Sequence, residues 1–133
     1  MFHIEHDSRA NILRITVEGF WEPRNVPDLA KGIDASLRKI GDDFDVIVNS
    51  PDFPVQANDV ADLLAAVMRG GMTRTSGRAA VVVAGPLNRA QAERTLVHPR
   101  LRVFMTMDEA ESWIGSKSRD AAPLQTGRLQ DLA

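Results

Sequence analysis

The sequence predicts an α/β domain: a mixed, mostly parallel five-stranded sheet with an N-terminal hairpin and about four helices. Three observations predict it. Two strand-like segments follow one another directly within residues 2–18. Helical and strand-like patterns alternate after that, which favours parallel strands joined by right-handed crossovers. The run RAAVVVAG at 78–85 is apolar on both faces, as a central strand of a parallel sheet is. A chain of 133 residues suits one domain, and its 44% apolar content can fill a core without staples.

Residues 2–7 alternate weakly and 12–18 more clearly. Leu13, Ile15 and Val17 share one face, and Arg14, Thr16 and Glu18 the other, with a polar turn at 8–11. Gly19 and Pro23 end the second strand. In NVPDLAKGIDASLRKIG, Asn25 is placed to cap and Pro27 and Asp28 suit a first turn. Leu29, Ile33, Leu37 and Ile40 recur at helical spacing, and Gly41 is a natural stop. The short run VIVN at 46–49 reads as the third strand. Asn58 then caps a helix whose apolar stripe is Val60, Leu63, Leu64, Val67 and Met68, ending at Gly70 and Gly71.

The strand at 78–85 leads into a short polar helix, PLNRAQAERTLV, and LRVFMT is the last strand. TMDEAESWIG carries a capping box, with Thr106 as the cap and Glu109 three residues on. Ala110, Trp113 and Ile114 give that helix its inward face. Residues 1–115 therefore form the domain. Residues 116–133 lose all periodicity and read as a flexible C-terminal tail, or as a segment that docks Leu124, Leu129 and Leu132 on a partner.

Composition excludes several functions. With no cysteine there are no disulfides, thiol nucleophiles or thiolate metal sites. A formal net charge of −2 gives no bulk attraction to nucleic acid or acidic membranes. Seven aromatics (two Trp, five Phe) are too few for a base-stacking platform. The charged N-terminus is no signal peptide, and AAVVVAG is far too short to span a bilayer. The expectation is a soluble, cytoplasmic protein with no membrane span and no nucleic-acid partner.

The order of elements then meets a set of specific stretches. These are the Arg-led apolar strand at 78–84, the polar helix, RVF at 102–104 and DEAESWI at 108–114, preceded by VEGFWEPRNV and DVIVN. Over residues 2–115 this resembles the SpoIIAA-like family of the STAS domain superfamily. The resemblance implies a STAS-like fold and a non-catalytic module that works by protein–protein contact, or by binding a small molecule or lipid. In anti-sigma-factor antagonists of this type a phosphorylatable Ser in an Asp-Ser motif starts the helix after the third strand. Here that place reads VQANDVADLL, with Asn58 and Asp59 at the helix start and no hydroxyl. The only hydroxyl nearby is Ser50, before Pro51.

The segment 49–58 follows a strand's C-terminal end, where open α/β sheets place ligands. Asn49, Ser50, Asp52 and Gln56 offer polar groups there, and Phe53 and Val55 an apolar wall. The plainer reading is turn chemistry at 49–52, Phe53 at the core rim and Asn58 as a cap. Asp59 places negative charge at a helix N-terminus, where it is favoured. Trp21, in GFWEPRN, is the candidate exposed aromatic anchor, or else a plug at the end of the sheet. These residues — Trp21, Asn49, Ser50, Asp52, Phe53, Asn58 and Asp59 — form the candidate contact surface, with helix 58–70 beside it.

Other clusters are weaker. RGGMTRTSGR at 69–78 leads from a helix into a strand, the reverse of a phosphate loop, but Arg69, Arg74 and Arg78 are placed to form an anionic docking patch. His3 and His6 point to opposite faces of a strand. No Gly-x-Ser-x-Gly elbow or facing carboxylate pair suggests an enzyme, and no cofactor or metal is expected. The expected partner is a protein or a small apolar ligand. A second copy of the chain is a further candidate, because the second strand has a polar face that leaves the sheet incompletely covered.

Overall fold

The computed structural model describes residues 1–126, and side chains through residue 116. The hairpin forms as expected: β1 (Phe2–Asp7) and β2 (Ile12–Glu18) pair antiparallel. Asn11 closes their turn at φ 55°, a conformation Asn tolerates, and its amide donates to Asp43 Oδ1 at 3.1 Å. The chain continues through a 3-10 turn (Pro23–Asn25) into α1 (Val26–Leu37), β3 (Asp45–Asp52), α2 (Asn58–Met72), β4 (Ala79–Val83), α3 (Pro86–Thr95), β5 (Leu101–Phe104) and α4 (Met107–Thr126). Strand order is β1-β2-β3-β4-β5, and every pair after the hairpin is parallel.

Two cores lie on the two faces. Leu13, Ile15, Val17, Val46, Val81 and Val103 meet α1, α2 and α3. The opposite face carries Ile12, Ile47, Ala80 and Val82, covered by Ala110 and Ile114 of α4. Among the described residues one helix covers that second face, and Glu111 of α4 pairs there with Arg14 on the polar side of β2 at 3.2 Å. Gly32 lets α1 lie close on β1: a Cβ would come within 2.9 Å of Ile4 Cδ1 and 3.3 Å of Phe2 Cε1.

Several boundaries differ from the sequence reading, each for a tertiary reason. Asn25 does not cap α1 through its side chain; its Oδ1 accepts from the Glu22 N–H at 2.8 Å and serves the 3-10 turn. α1 ends at Leu37, while Ile40 still packs against the core. β3 runs on to Asp52. Its partner register steps from Thr16↔Asn49 to Glu18↔Asp52, leaving one extra residue on β3. Pro51, which lacks an N–H, sits in that bulge.

α2 starts after Ala57, so Asn58 is its first residue and not its cap. It continues through Gly70 and Gly71 to Met72, and the Arg100 guanidinium donates to the Met72 carbonyl at 3.0 Å. A Cβ on Gly71 would meet nothing within 4 Å. Gly71→Ala should therefore stabilise the protein by about 0.5 kcal/mol, read as a raised urea midpoint with unchanged slope.

α4 is capped as expected: the Glu109 N–H donates to Thr106 Oγ1 at 3.2 Å, and that hydroxyl donates to Glu109 Oε1 at 3.1 Å. Thr106→Ala should cost about 1 kcal/mol in thermal unfolding. Trp113 packs on Phe104 with centroids 5.7 Å apart, and the guanidinium groups of Arg78 and Arg102 lie 4.9 and 5.3 Å from its ring centroid. The α4 backbone is helical to Thr126, past Ser116, where sequence periodicity ends. Leu129 and Leu132 lie outside the described residues.

Candidate binding surface at the C-terminal end of the sheet

Gln56 organises this end of the sheet. It is 4% exposed, with its side chain wholly engaged. Its Oε1 accepts from the Trp21 N–H at 2.8 Å, and its Nε2 donates to the Gly19 carbonyl at 3.1 Å and the Pro54 carbonyl at 2.8 Å. Its main chain clasps Gln91 of α3 in both directions: N–H to Oε1 at 2.9 Å, and carbonyl from Nε2 at 2.7 Å. Asn88 of α3 adds a bond to the Phe53 carbonyl at 2.9 Å. One amide thus ties the 53–57 segment to the turn after β2, and a second clasp ties it to α3. Sequence alone offers Gln56 as one of four polar residues in a loop; nothing local marks it as the hub.

Trp21 is 2% exposed, so it plugs the sheet end and is not the exposed anchor. Its ring lies 6.1 Å from Phe2 and stands edge-on to Phe53 at 5.6 Å, and its Nε1 donates to the Glu18 carbonyl at 2.9 Å. The exposed aromatic is its neighbour Phe20, at 67%. Val55, next to Gln56 in the chain, is 42% exposed, and on α2 Leu63 is exposed to the same degree.

The remaining candidates separate. Asn49 and Ser50 point to opposite faces of β3. Ser50, 4% exposed, donates to the Val82 carbonyl at 2.5 Å, whereas Asn49 faces the α4 side. Asp52 is exposed, and its carbonyl accepts from the Gly19 N–H at 2.9 Å. Asn58 and Asp59 are exposed in the first turn of α2, and Asp59 Oδ1 accepts from the Val60 N–H at 2.8 Å.

Beneath this surface a cavity of about 100 Å³ opens between the sheet, α2 and α3. Val81 and Val83 lie on its sheet side, Leu64 and Met68 on α2, and Leu96 beyond α3. Most of its polar side chains are bonded within the protein: Ser50 to Val82, Gln56 and Gln91 as above, and Thr95 Oγ1 to the Gln91 carbonyl at 2.9 Å. The cavity therefore offers apolar surface and no free acid, base or nucleophile pair.

The arginines of 69–78 do not converge. Arg74 pairs with Asp34 at 3.2 Å, while Arg78 turns beneath Trp113 and donates to its carbonyl at 3.0 Å. Arg74 and Arg38 hold the exposed Asp34 carboxyl below its ordinary range. A lowered folded value means this contribution is present above the unfolded pKa and lost as pH falls through the folded one. Asp34→Asn should thus lower stability slightly at neutral pH, and the difference should vanish in acid melts. His3 bonds Glu5 and His6 bonds Asn11, and among the described residues no three metal-ligating side chains converge. Among the described residues, too, no helix is long and apolar enough to cross a membrane.

A hairpin followed by parallel β/α units, with three helices on one face and one on the other, defines a STAS-like α/β domain of SpoIIAA-like fold. Solved structures carry it. An anti-sigma factor antagonist from Mycobacterium paratuberculosis superposes with TM-score 0.63 at 19% identity, over 86% of this chain and 93% of that one. The anti-sigma factor antagonist SpoIIAA in its unphosphorylated form gives 0.64 at 16%, over 87% and 97%. An uncharacterized protein of the DUF3478 family with a SpoIIAA-like fold, from Shewanella loihica, gives 0.64 at 11%, over 86% and 92%. No family model and no curated protein matches the sequence.

Proposed function

We propose that this chain is a non-catalytic regulatory module that binds a protein partner through the C-terminal end of its sheet. The surface comprises the turn after β2, the 53–57 segment and the first turns of α2. The observation that carries this is that Gln56, buried, ties together the two segments that bear exposed Phe20 and Val55. Apolar side chains held on a rigid frame cost little ordering on binding, which is what an interface anchor needs. Asn58 and Asp59 give that surface a polar, acidic rim. The shared fold of two anti-sigma factor antagonists supports the same reading, and a cytoplasmic location belongs with it.

Contact here does not depend on phosphorylation of the helix start. No hydroxyl stands there, and the Ser50 hydroxyl is buried against Val82. The experiment is a binding comparison with the partner isolated on the tagged wild-type chain. Phe20→Asp and Val55→Asp should keep the wild-type melting temperature within about 2 °C and lose the partner. Retention of the partner by both variants overturns the proposal.

The cavity favours a second reading, a small apolar ligand beneath the surface. Its lining suits hydrocarbon, with few polar groups to orient a ligand. Native mass spectrometry of the purified chain separates the readings: a retained small molecule, lost in a cavity-filling Ala92→Leu variant that still folds, supports the ligand.

A further inference from the structure

We infer that the free edge of β5 is a docking groove for an extended acidic peptide, which adds a sixth strand to the sheet. β5 ends the strand order, and its pairing direction is fixed: the Ala79 N–H donates to the Arg100 carbonyl at 2.8 Å. Main-chain groups alternate along a strand, so Arg102 and Phe104 face β4, and Leu101 and Val103 face outward. The Leu101 N–H is used by the His98 carbonyl at 3.1 Å. The Leu101 carbonyl and both main-chain groups of Val103 have no partner among the described residues. An open edge of this kind is a template for another strand.

A groove of about 560 Å³ runs along this edge. Its floor is Leu101 to Phe104; Arg89, Glu93 and the exposed Val97 flank it on the α3 side, and Glu109 on the α4 side. Four strand residues span roughly 13 Å, the reach of four residues of an extended peptide. The charges select the peptide. Arg89 and Glu93 neutralise one another at 3.2 Å; Glu109 keeps its charge, but Thr106 holds it at the start of α4 and it makes no ion pair with Arg102. Arg102 is exposed, lies over Trp113 at 5.3 Å, and has no carboxylate partner among the described residues. A sixth strand places a side chain directly beside it, where an acidic residue is favoured. A second copy of this chain fits less well, because a two-fold pairing of β5 edges brings Arg102 towards its own symmetry mate and opposes the groove walls to one another.

The inference is independent of the surface proposed above. It is tested by amide NMR with the probe acetyl-Thr-Val-Glu-Val-Thr-amide, whose valines and glutamate alternate as the two faces of the edge require. The Val103 amide should exchange freely in the full chain and gain about tenfold or more protection at saturating peptide. Arg102→Glu, with the rest of its spectrum unchanged, should weaken binding about three- to tenfold, and a lysine in place of the probe's glutamate should do the same. A probe N-methylated on its edge-facing amides should not bind. Equal binding by the methylated probe, absence of any shift at Val103, or concentration-dependent protection of Val103 in the free chain each overturns the inference, the last in favour of a second copy.

Discussion

Gln56→Ala should lower stability by about 3 kcal/mol. The substitution removes the acceptor of the buried Trp21 N–H and both donated bonds, to Gly19 and Pro54. A buried donor left unpaired costs about 1–3 kcal/mol, and each lost neutral bond about 1 kcal/mol. For a domain of this size that is a fall in melting temperature of roughly 10 °C. Gln56→Glu sharpens the test. It keeps an acceptor for Trp21 but sets a carboxylate against the Gly19 and Pro54 carbonyls, which raises its folded pKa. A raised pKa means the stabilising form is the protonated one, so this variant should recover stability as pH falls and lose it as pH rises. A melting temperature for Gln56→Ala within about 2 °C of wild type would show that the clasp does not hold this end of the sheet. Because Phe20 and Val55 are mounted on the clasp, partner binding by the folded fraction should fall with it.

Gly77→Ala should be as damaging at the opposite end of the sheet, without the functional consequence. A Cβ there overlaps the Phe44 carbonyl oxygen and comes within 2.6 Å of Asp45 Oδ1. Neither neighbour is free to yield. Phe44 is 2% exposed, and its carbonyl accepts from Thr75 Oγ1 at 2.5 Å. Asp45 is buried and accepts from the Arg78 N–H at 2.8 Å. The glycine's own carbonyl is gripped by Arg100, which also holds Met72 and Thr75. Overpacking against backbone of this kind costs about 3 kcal/mol. Urea unfolding should show the loss, while folded protein binds its partner normally. A change below about 1 kcal/mol would mean that the segment before β4 relaxes more easily than its bonding indicates.

The two sites also show what local sequence pattern conveys. Strand alternation in β2, the helical stripes of α1 and α2, the doubly apolar β4 and the Thr106 cap are short-range signals. They specify the order of elements and most inward faces, including Leu29, Ile33, Val60 and Leu64. What pattern misses depends on residues far apart in the chain. Gln56 becomes a hub only because Trp21 and Gln91 arrive beside it, each 35 residues away. Asn25 and Asn58 have cap-forming side chains, but neither caps its helix through them. α2 passes Gly70 and Gly71 because Arg100, 28 residues beyond Met72, receives its last turn. Trp21 and Phe20 are indistinguishable as an aromatic pair until the strand end turns one inward to meet Phe53. The same limit applies to Arg74 and Arg78, close in sequence and drawn apart by Asp34 and Trp113.

The most direct test of the account is site-specific photo-cross-linking in cells, with a photoreactive residue at Val55 and, separately, at Lys39 near the opposite end of the sheet. Val55 should give one discrete adduct, abolished by Phe20→Asp in the same chain, and Lys39 none. An adduct from Lys39 alone, or a Val55 adduct indifferent to Phe20→Asp, would contradict a binding surface at the C-terminal end of the sheet.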